Sequence, residues 1–142
     1  MPLDEKDHKI IEALAKNARI AITEIAKMLN LTDVAIRKRL RKLEKNGVIE
    51  KYTVLVNPKK LGYNCVAIIG VDVEPEHLLN VAWTLAEREY TRFVALTAGE
   101  HMIIAEIWSK DNKELNKILE DIGRNNGVKR VCPSLVLDVL KR

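Results

Sequence analysis

The chain has little of what a secreted protein or an enzyme displays. Its 142 residues include only two cysteines, Cys65 and Cys132, and three histidines. Both cysteines sit inside apolar runs, Cys-Val-Ala-Ile-Ile and Val-Cys-Pro-Ser-Leu-Val, where a free thiol behaves as a small hydrophobe. Reduced core cysteines are expected, not a disulfide. His8, His77 and His101 are far apart and share no metal-ligand spacing with either cysteine. The expectation is therefore no metal and no cofactor. No apolar stretch approaches the roughly 20 residues needed to span a bilayer, and no signal-peptide pattern leads the chain. A cytoplasmic protein without a membrane partner is expected. There is no Ser/His/acid set and no glycine-rich phosphate loop. The segment Asp72-Val73-Glu74-Pro75-Glu76 repels an anion instead of cradling it. These absences argue against an enzyme.

What is present is an uneven charge. Residues 1–60 carry 14 Lys and Arg against 8 Asp and Glu, and residues 61–142 carry 10 against 12. A basic first part on a slightly acidic remainder suggests a nucleic-acid module joined to a separate one. At 47% apolar and 31% charged residues, the composition is that of a folded chain.

Three helical patterns fill the first part. Ile10, Ile11, Leu14, Ala15 and Ala18 form one stripe on a helix of about residues 4–17, with Asp4, Glu5 and Asp7 at the dipole-favoured start. Thr23 is the candidate cap of a short second helix carrying Ile25, Ala26 and Leu29. Leu29-Asn30-Leu31 then turns, because Asn tolerates positive φ. Thr32 caps a third helix of about residues 32–45, which buries Ile36, Leu40 and Leu43 and ends at Gly47. Between residues 37 and 45 it holds six positive charges and one negative.

A short helix, a tight turn and a capped basic helix make a helix-turn-helix, whose second helix reads the major groove of double-stranded DNA. By position, Thr32, Asp33, Val34, Arg37 and Lys38 are the candidate base contacts. Arg39, Arg41 and Lys42 are the candidate phosphate contacts. Val48–Val56 reads as a strand, and Asn57-Pro58-Lys59-Lys60-Leu61-Gly62 breaks it. The predicted organisation is a DNA-binding domain over 1–50, a hinge strand and linker over 51–62, and a second domain over 63–142.

The second domain reads strand, helix, strand, strand, helix, strand. The predicted spans are 64–73, 75–89, 92–97, 102–108, 111–123 and 128–140. This βαββαβ order is the ferredoxin-like arrangement, with both helices on one sheet face, and the fold class is α+β. Val66, Ala67, Ile68, Ile69 and Val71 are apolar on both faces, as are Ile103, Ile104, Ala105 and Ile107. The face without helices needs a cover, and a second copy of the same sheet supplies one. A twofold homodimer also presents two recognition helices to a palindromic site. An architectural DNA-packing protein with little sequence preference would use the same basic surface and stays open as the alternative.

With these residues placed, the chain resembles the Lrp/AsnC (leucine-responsive/asparagine regulator) family of prokaryotic transcription factors. The resemblance runs through Leu3-Asp4-Glu5-Lys6-Asp7, Thr23-Glu24-Ile25-Ala26, Leu31-Thr32, Leu43-Glu44-Lys45-Asn46-Gly47-Val48-Ile49, Asn57-Pro58 and Leu61-Gly62. Gly99-Glu100-His101-Met102 and Val131-Cys132-Pro133 are similar to archaeal LrpA-like members. The resemblance implies a winged-type helix-turn-helix domain joined to a RAM/ACT-like sensing domain, with dimers that often build octamers. It also implies a small effector, often an amino acid, near the glycine-acid loop. Gly99, Glu100, His101 and Met102, with Cys132 and Ser134 of the last strand, are the implied effector residues. The family's usual Gly-Asp-x-Asp is here Gly99-Glu100-His101-Met102, so a thioether stands where a second carboxylate would face an ammonium group.

Overall fold

A computed structural model describes residues 2–142. The chain divides into two compact units, one ending at Leu55 and the other beginning at Val56.

The first unit holds α1 (Glu5–Lys16), α2 (Ile22–Leu29) and α3 (Asp33–Lys45). Its core joins Ile10 and Ala13, Ile25 and Ala26, and Ile36 and Leu43, one pair from each helix. Asp4 caps α1 in a capping box: the Asp7 N–H donates to Asp4 Oδ1 at 2.8 Å and the Asp4 N–H to Asp7 Oδ2 at 3.1 Å. This satisfies two backbone groups at the helix start that have no partner within the helix. Thr32 caps α3, its hydroxyl accepting from the Ala35 N–H at 3.1 Å.

Thr23 is not the cap of α2. The helix begins at Ile22, and Ala21 occupies the cap position without a side-chain bond. Ile22 packs against the core and, with Ile25, Ala26 and Leu29, extends the stripe by a turn at i, i+3, i+4 and i+7. Burial thus outweighs the hydroxyl in setting the start.

Two helix ends use the same closure. Asn30 stands at φ 53°, ψ 48°, and the Leu31 N–H donates to the Ala26 carbonyl at 2.9 Å. After α3, Gly47 stands at φ 72°, the Val48 N–H donates to the Leu43 carbonyl at 2.9 Å, and the Gly47 N–H to that of Glu44 at 3.1 Å. Both are Schellman closures around a left-handed residue.

The strand predicted over Val48–Val56 does not form. The segment has no strand partner, and a strand exists only by pairing. Tyr52 ties it down locally, donating to Glu44 at 2.7 Å. Burial, and secondly this bond, push the Tyr52 hydroxyl up to about 12.

The second unit contains β1 (Cys65–Val73), α4 (Leu78–Ala86), β2 (Thr91–Leu96), β3 (Ile103–Ser109), α5 (Asn112–Gly123) and β4 (Val128–Leu135). The strands form one antiparallel sheet in the order β2-β3-β1-β4, the ferredoxin-like order. Alternate residues of β1 (Ala67, Ile69, Val71, Val73) join Ile103, Ala105 and Ile107 under Val81 and Leu85 of α4 and Leu115, Ile118 and Ile122 of α5. Leu79 and Trp83 of α4 are exposed. The predicted helix from residue 75 opens as a 3₁₀ turn, Pro75–His77, and becomes α-helical only at Leu78.

β4 stops at Leu135, short of the predicted residue 140. The register pairs Ala67 with Leu135, and β1 begins only two residues before Ala67. One further bond follows, the Val136 N–H donating to the Val66 carbonyl at 2.9 Å, and the ladder ends there. Pro133 sits within β4, an edge strand, the place in a sheet that tolerates a missing N–H.

Candidate functional site

Two groups of side chains stand out, one in each unit. In the first, α3 follows the Asn30 turn, and its cap leaves the first helical turn outward. Val34, Arg37, Lys38, Arg41 and Lys42 are exposed, whereas Ile36 and Leu43 are fully buried. Asp33 is half-buried. Thr32 has its oxygen engaged by the Ala35 N–H, which leaves the hydroxyl proton as the group it offers outward. The result is an apolar and cationic face at the helix start, followed by cations along its length. Such a face complements base edges and flanking phosphates.

Arg39, grouped with the phosphate contacts in the sequence, has another engagement. It is half-buried, and its Nη1 donates to Asp4 Oδ2 at 2.7 Å and to Asp7 Oδ1 at 2.9 Å. The pair of acids that boxes the start of α1 thereby fastens α3. The Arg39 hydrogen bond, and then the Asp7 N–H, hold the Asp4 carboxyl down to about 2. Asp4 and Asp7 read as helix-dipole acids in the sequence. Their second role depends on a partner 32 to 35 residues away and left no local signal.

The second group lies on the sheet face opposite the helices. Gly99 and Glu100 are exposed, and His101 and Met102 are half-buried. The His101 ring lies over Gly70 of β1, where a Cβ would collide with its Cδ2 and Cγ. Register places Cys132 opposite Gly70, Ser134 opposite Ile68, and Arg130 opposite Asp72. Of the six residues implied for an effector, the structure draws His101 and Cys132 together, and Asp72 joins them. Ser134 lies two residues along β4 from Cys132, and Gly99 has nothing within 4 Å of where a Cβ would be. His101 Nδ1 is 3.2 Å from Asp72 Oδ1, and Arg130 Nε donates to Asp72 Oδ2 at 3.1 Å. Burial pushes the Asp72 carboxyl up, but His101 and Arg130 outweigh it and hold it below its ordinary value.

Asp72, Gly70 and Arg130 were not singled out from the sequence as part of this group. Gly70 alone carried a signal, since an isolated Gly inside a strand marks a close approach. The same face exposes Ile68 and Phe93, and Arg92 stacks over Trp108 with its guanidinium carbon 4.3 Å from the ring centroid.

Residues 3–50 match the winged helix-turn-helix DNA-binding family model, and residues 66–142 match the Lrp/AsnC ligand binding domain. The chain belongs to the Lrp/AsnC family. The HTH-type transcriptional regulator LrpA of Pyrococcus horikoshii is 49% identical over 140 residues, covering 98% of this chain and 99% of that protein. Among solved structures, Escherichia coli AsnC superimposes with a TM-score of 0.88 at 24% identity, covering 100% of this chain and 97% of that one. A Neisseria meningitidis transcriptional regulator in complex with L-Met reaches 0.89 at 22% identity, covering 99% and 94%. This Lrp/AsnC protein is a DNA-binding transcriptional regulator with a ligand-binding domain, and its relatives are regulators, not enzymes. No helix among the described residues is long and apolar enough to cross a membrane.

Proposed function

We propose that the protein works in the cytoplasm as a symmetric dimer, or an octamer built from four such dimers, on palindromic promoter sites. The exposed start of α3 carries this reading. Val34, Arg37 and Lys38 stand free on a frame anchored by the fully buried Ile36 and Leu43, with Thr32 and Asp33 at the same end. Arg37 is the candidate for bidentate bonding to a guanine, the commonest specific contact in the major groove. Arg41 and Lys42 contact phosphates. Arg39 positions α3 instead of touching DNA, because its half-buried guanidinium is held through Nη1 by Asp4 and Asp7.

The dimer is supported by the helix-free sheet face, where Ile68 and Phe93 are exposed, and by the segment after Gly47, where Val54 and Leu55 are exposed without a strand partner. A small effector, with an amino acid as the class to test, belongs to the second unit near Gly99, Glu100, His101 and Met102, with Cys132 and Ser134 across the sheet. The match to a ligand-binding domain and the L-Met complex of a fold relative support that choice.

Selection from a randomised DNA library tests the reading. One sequence class should bind about 10³-fold or more tighter than random DNA, with two half-sites about one helical turn apart, as a twofold dimer requires. A flat profile would overturn it in favour of DNA packing. Thermal shift with the twenty amino acids tests the effector, since a ligand at 100 times its Kd adds about 2.7 kcal/mol of stability.

A further inference from the structure

His101, Asp72 and Cys132 offer an imidazole nitrogen, a carboxylate oxygen and a thiol sulfur, all within 4.8 Å of one another. The three come from distant parts of the chain and meet only through sheet register. Gly70 is the floor of the cluster, because any larger residue there would collide with the His101 ring. Cys132 stands directly opposite Gly70. Arg130 holds Asp72 Oδ2, and His101 Nδ1 lies against both carboxylate oxygens, 3.2 Å from Oδ1 and 3.3 Å from Oδ2. That is the arrangement in which an outer hydrogen bond aims a carboxylate ligand at an ion.

We propose that Asp72, His101 and Cys132 bind one divalent transition-metal ion of the zinc class. A set with one sulfur, one nitrogen and one oxygen selects such an ion over magnesium or calcium, which take oxygen ligands. Bonds of about 2.0–2.3 Å to a tetrahedral ion set the donor atoms roughly 3.3–3.7 Å apart. The His101–Asp72 edge, at 3.2 Å, is already near that length. Closing the remaining edges asks about 1 Å of the Cys132 thiol, within the reach of a side-chain rotation. As the ion binds, the Cys132 thiol loses its proton to solvent and the thiolate takes the ion. Three protein ligands leave the fourth position open to water or a small ligand. The site does not involve the DNA-reading helix, and it shares His101 and Cys132 with the residues proposed for the effector, so the ion is titrated without amino acids. Its failure leaves both of those readings standing, and theirs leaves it standing.

Cobalt(II) titrated into the full chain, without DNA, amino acids or thiol reductant, is the probe. A near-ultraviolet thiolate-to-cobalt charge-transfer band should grow, saturate at one ion per chain and be displaced by zinc. Cys132→Ser should abolish the band, and Cys65→Ser should leave it intact, because Cys65 belongs to the helix-side core. His101→Ala should weaken binding at least about tenfold. Gly70→Ala, which displaces the His101 ring without removing a ligand, should weaken it by about 10–100-fold. The absence of a band at millimolar cobalt would overturn the site. So would a band that survives Cys132→Ser, or cobalt affinity unchanged in His101→Ala.

Discussion

The two units build their candidate sites by opposite routes. In the first, the exposed residues from Val34 to Lys42 follow one another along a single helix, and their common face is set by a 3.6-residue period. In the second, Asp72, His101 and Cys132 come from β1, the turn before β3, and β4, and only strand register assembles them. A helix-borne surface depends on the frame that holds the helix. A register-borne cluster depends on every strand pairing where it does. The first should survive changes in the other unit, and the second should be sensitive to a single misplaced Cβ.

Ile36→Ala is the strongest way to break this contrast. Ile36 is fully buried at the centre of the three-helix core, and removing its outer carbons costs about 2–5 kcal/mol. Amide hydrogen exchange should show the first unit losing protection while β1 and β3 keep theirs. DNA binding should fall with the first unit. Equal loss of protection in both units would mean that the frame of α3 is not its own.

A finer test stays on the exposed face. Arg37→Ala should cost about 1–3 kcal/mol on the preferred sequence and relax the preference at one base position. Arg41→Ala should weaken all sequences alike and lower the salt-dependence slope by about one unit. Binding measured across salt concentrations and a set of single-base variants separates them. Identical profiles for the two variants would erase the division between readers and positioners.

How far each site was legible follows from the same contrast. The buried stripe of Ile36, Leu40 and Leu43, the left-handed Asn30 and the Thr32 cap are local patterns, and helix-scale reading finds such patterns. Misreadings arose where a nonlocal factor decided. Thr23 looked like a cap, but the burial of Ile22 moved the start of α2. Residues 48–56 had strand composition, but composition supplies no partner. The apolar run after Leu135 continued, but its pairing with β1 stops one bond later, at Val136. The element order gave the ferredoxin-like topology, because alternating periods of two and 3.6 are themselves local. It did not give the register that sets Cys132 against Gly70 and Arg130 against Asp72. The histidines were therefore judged by sequence spacing, and spacing does not reveal that His101 and Cys132 share a place.

Arg39 tests whether the frame of α3 is itself electrostatic. Asp4 is held down to about 2, first by its hydrogen bond to Arg39. A carboxyl whose folded value lies below its ordinary one adds stability at pH values above the ordinary value of 3.8. That stability is lost as pH falls toward 2. Arg39→Met keeps the aliphatic stem and removes the charge, so it should destabilise at pH 7 and matter much less at pH 2. Thermal melts of both proteins between pH 2 and 7 should converge at the acid end. A constant gap across that range would mean that Arg39 contributes packing and not its ion pair.

The smallest expected effect lies at the end of the recognition helix. Gly47 closes α3 at φ 72°, and a Cβ added there would meet nothing within 4 Å. The cost of Gly47→Ala is therefore backbone strain alone, about 1–2 kcal/mol for an alanine held in the left-handed region. Gly47→Asn should cost less, since Asn visits that region more readily, as Asn30 does at the end of α2. Urea midpoints at constant slope give the ranking Gly, then Asn, then Ala. Both substitutions leave Arg37 and Lys38 in place, so affinity measured well below the midpoint should hardly change. If affinity falls with stability even there, the reading face depends on how the helix ends as well as on the core beneath it.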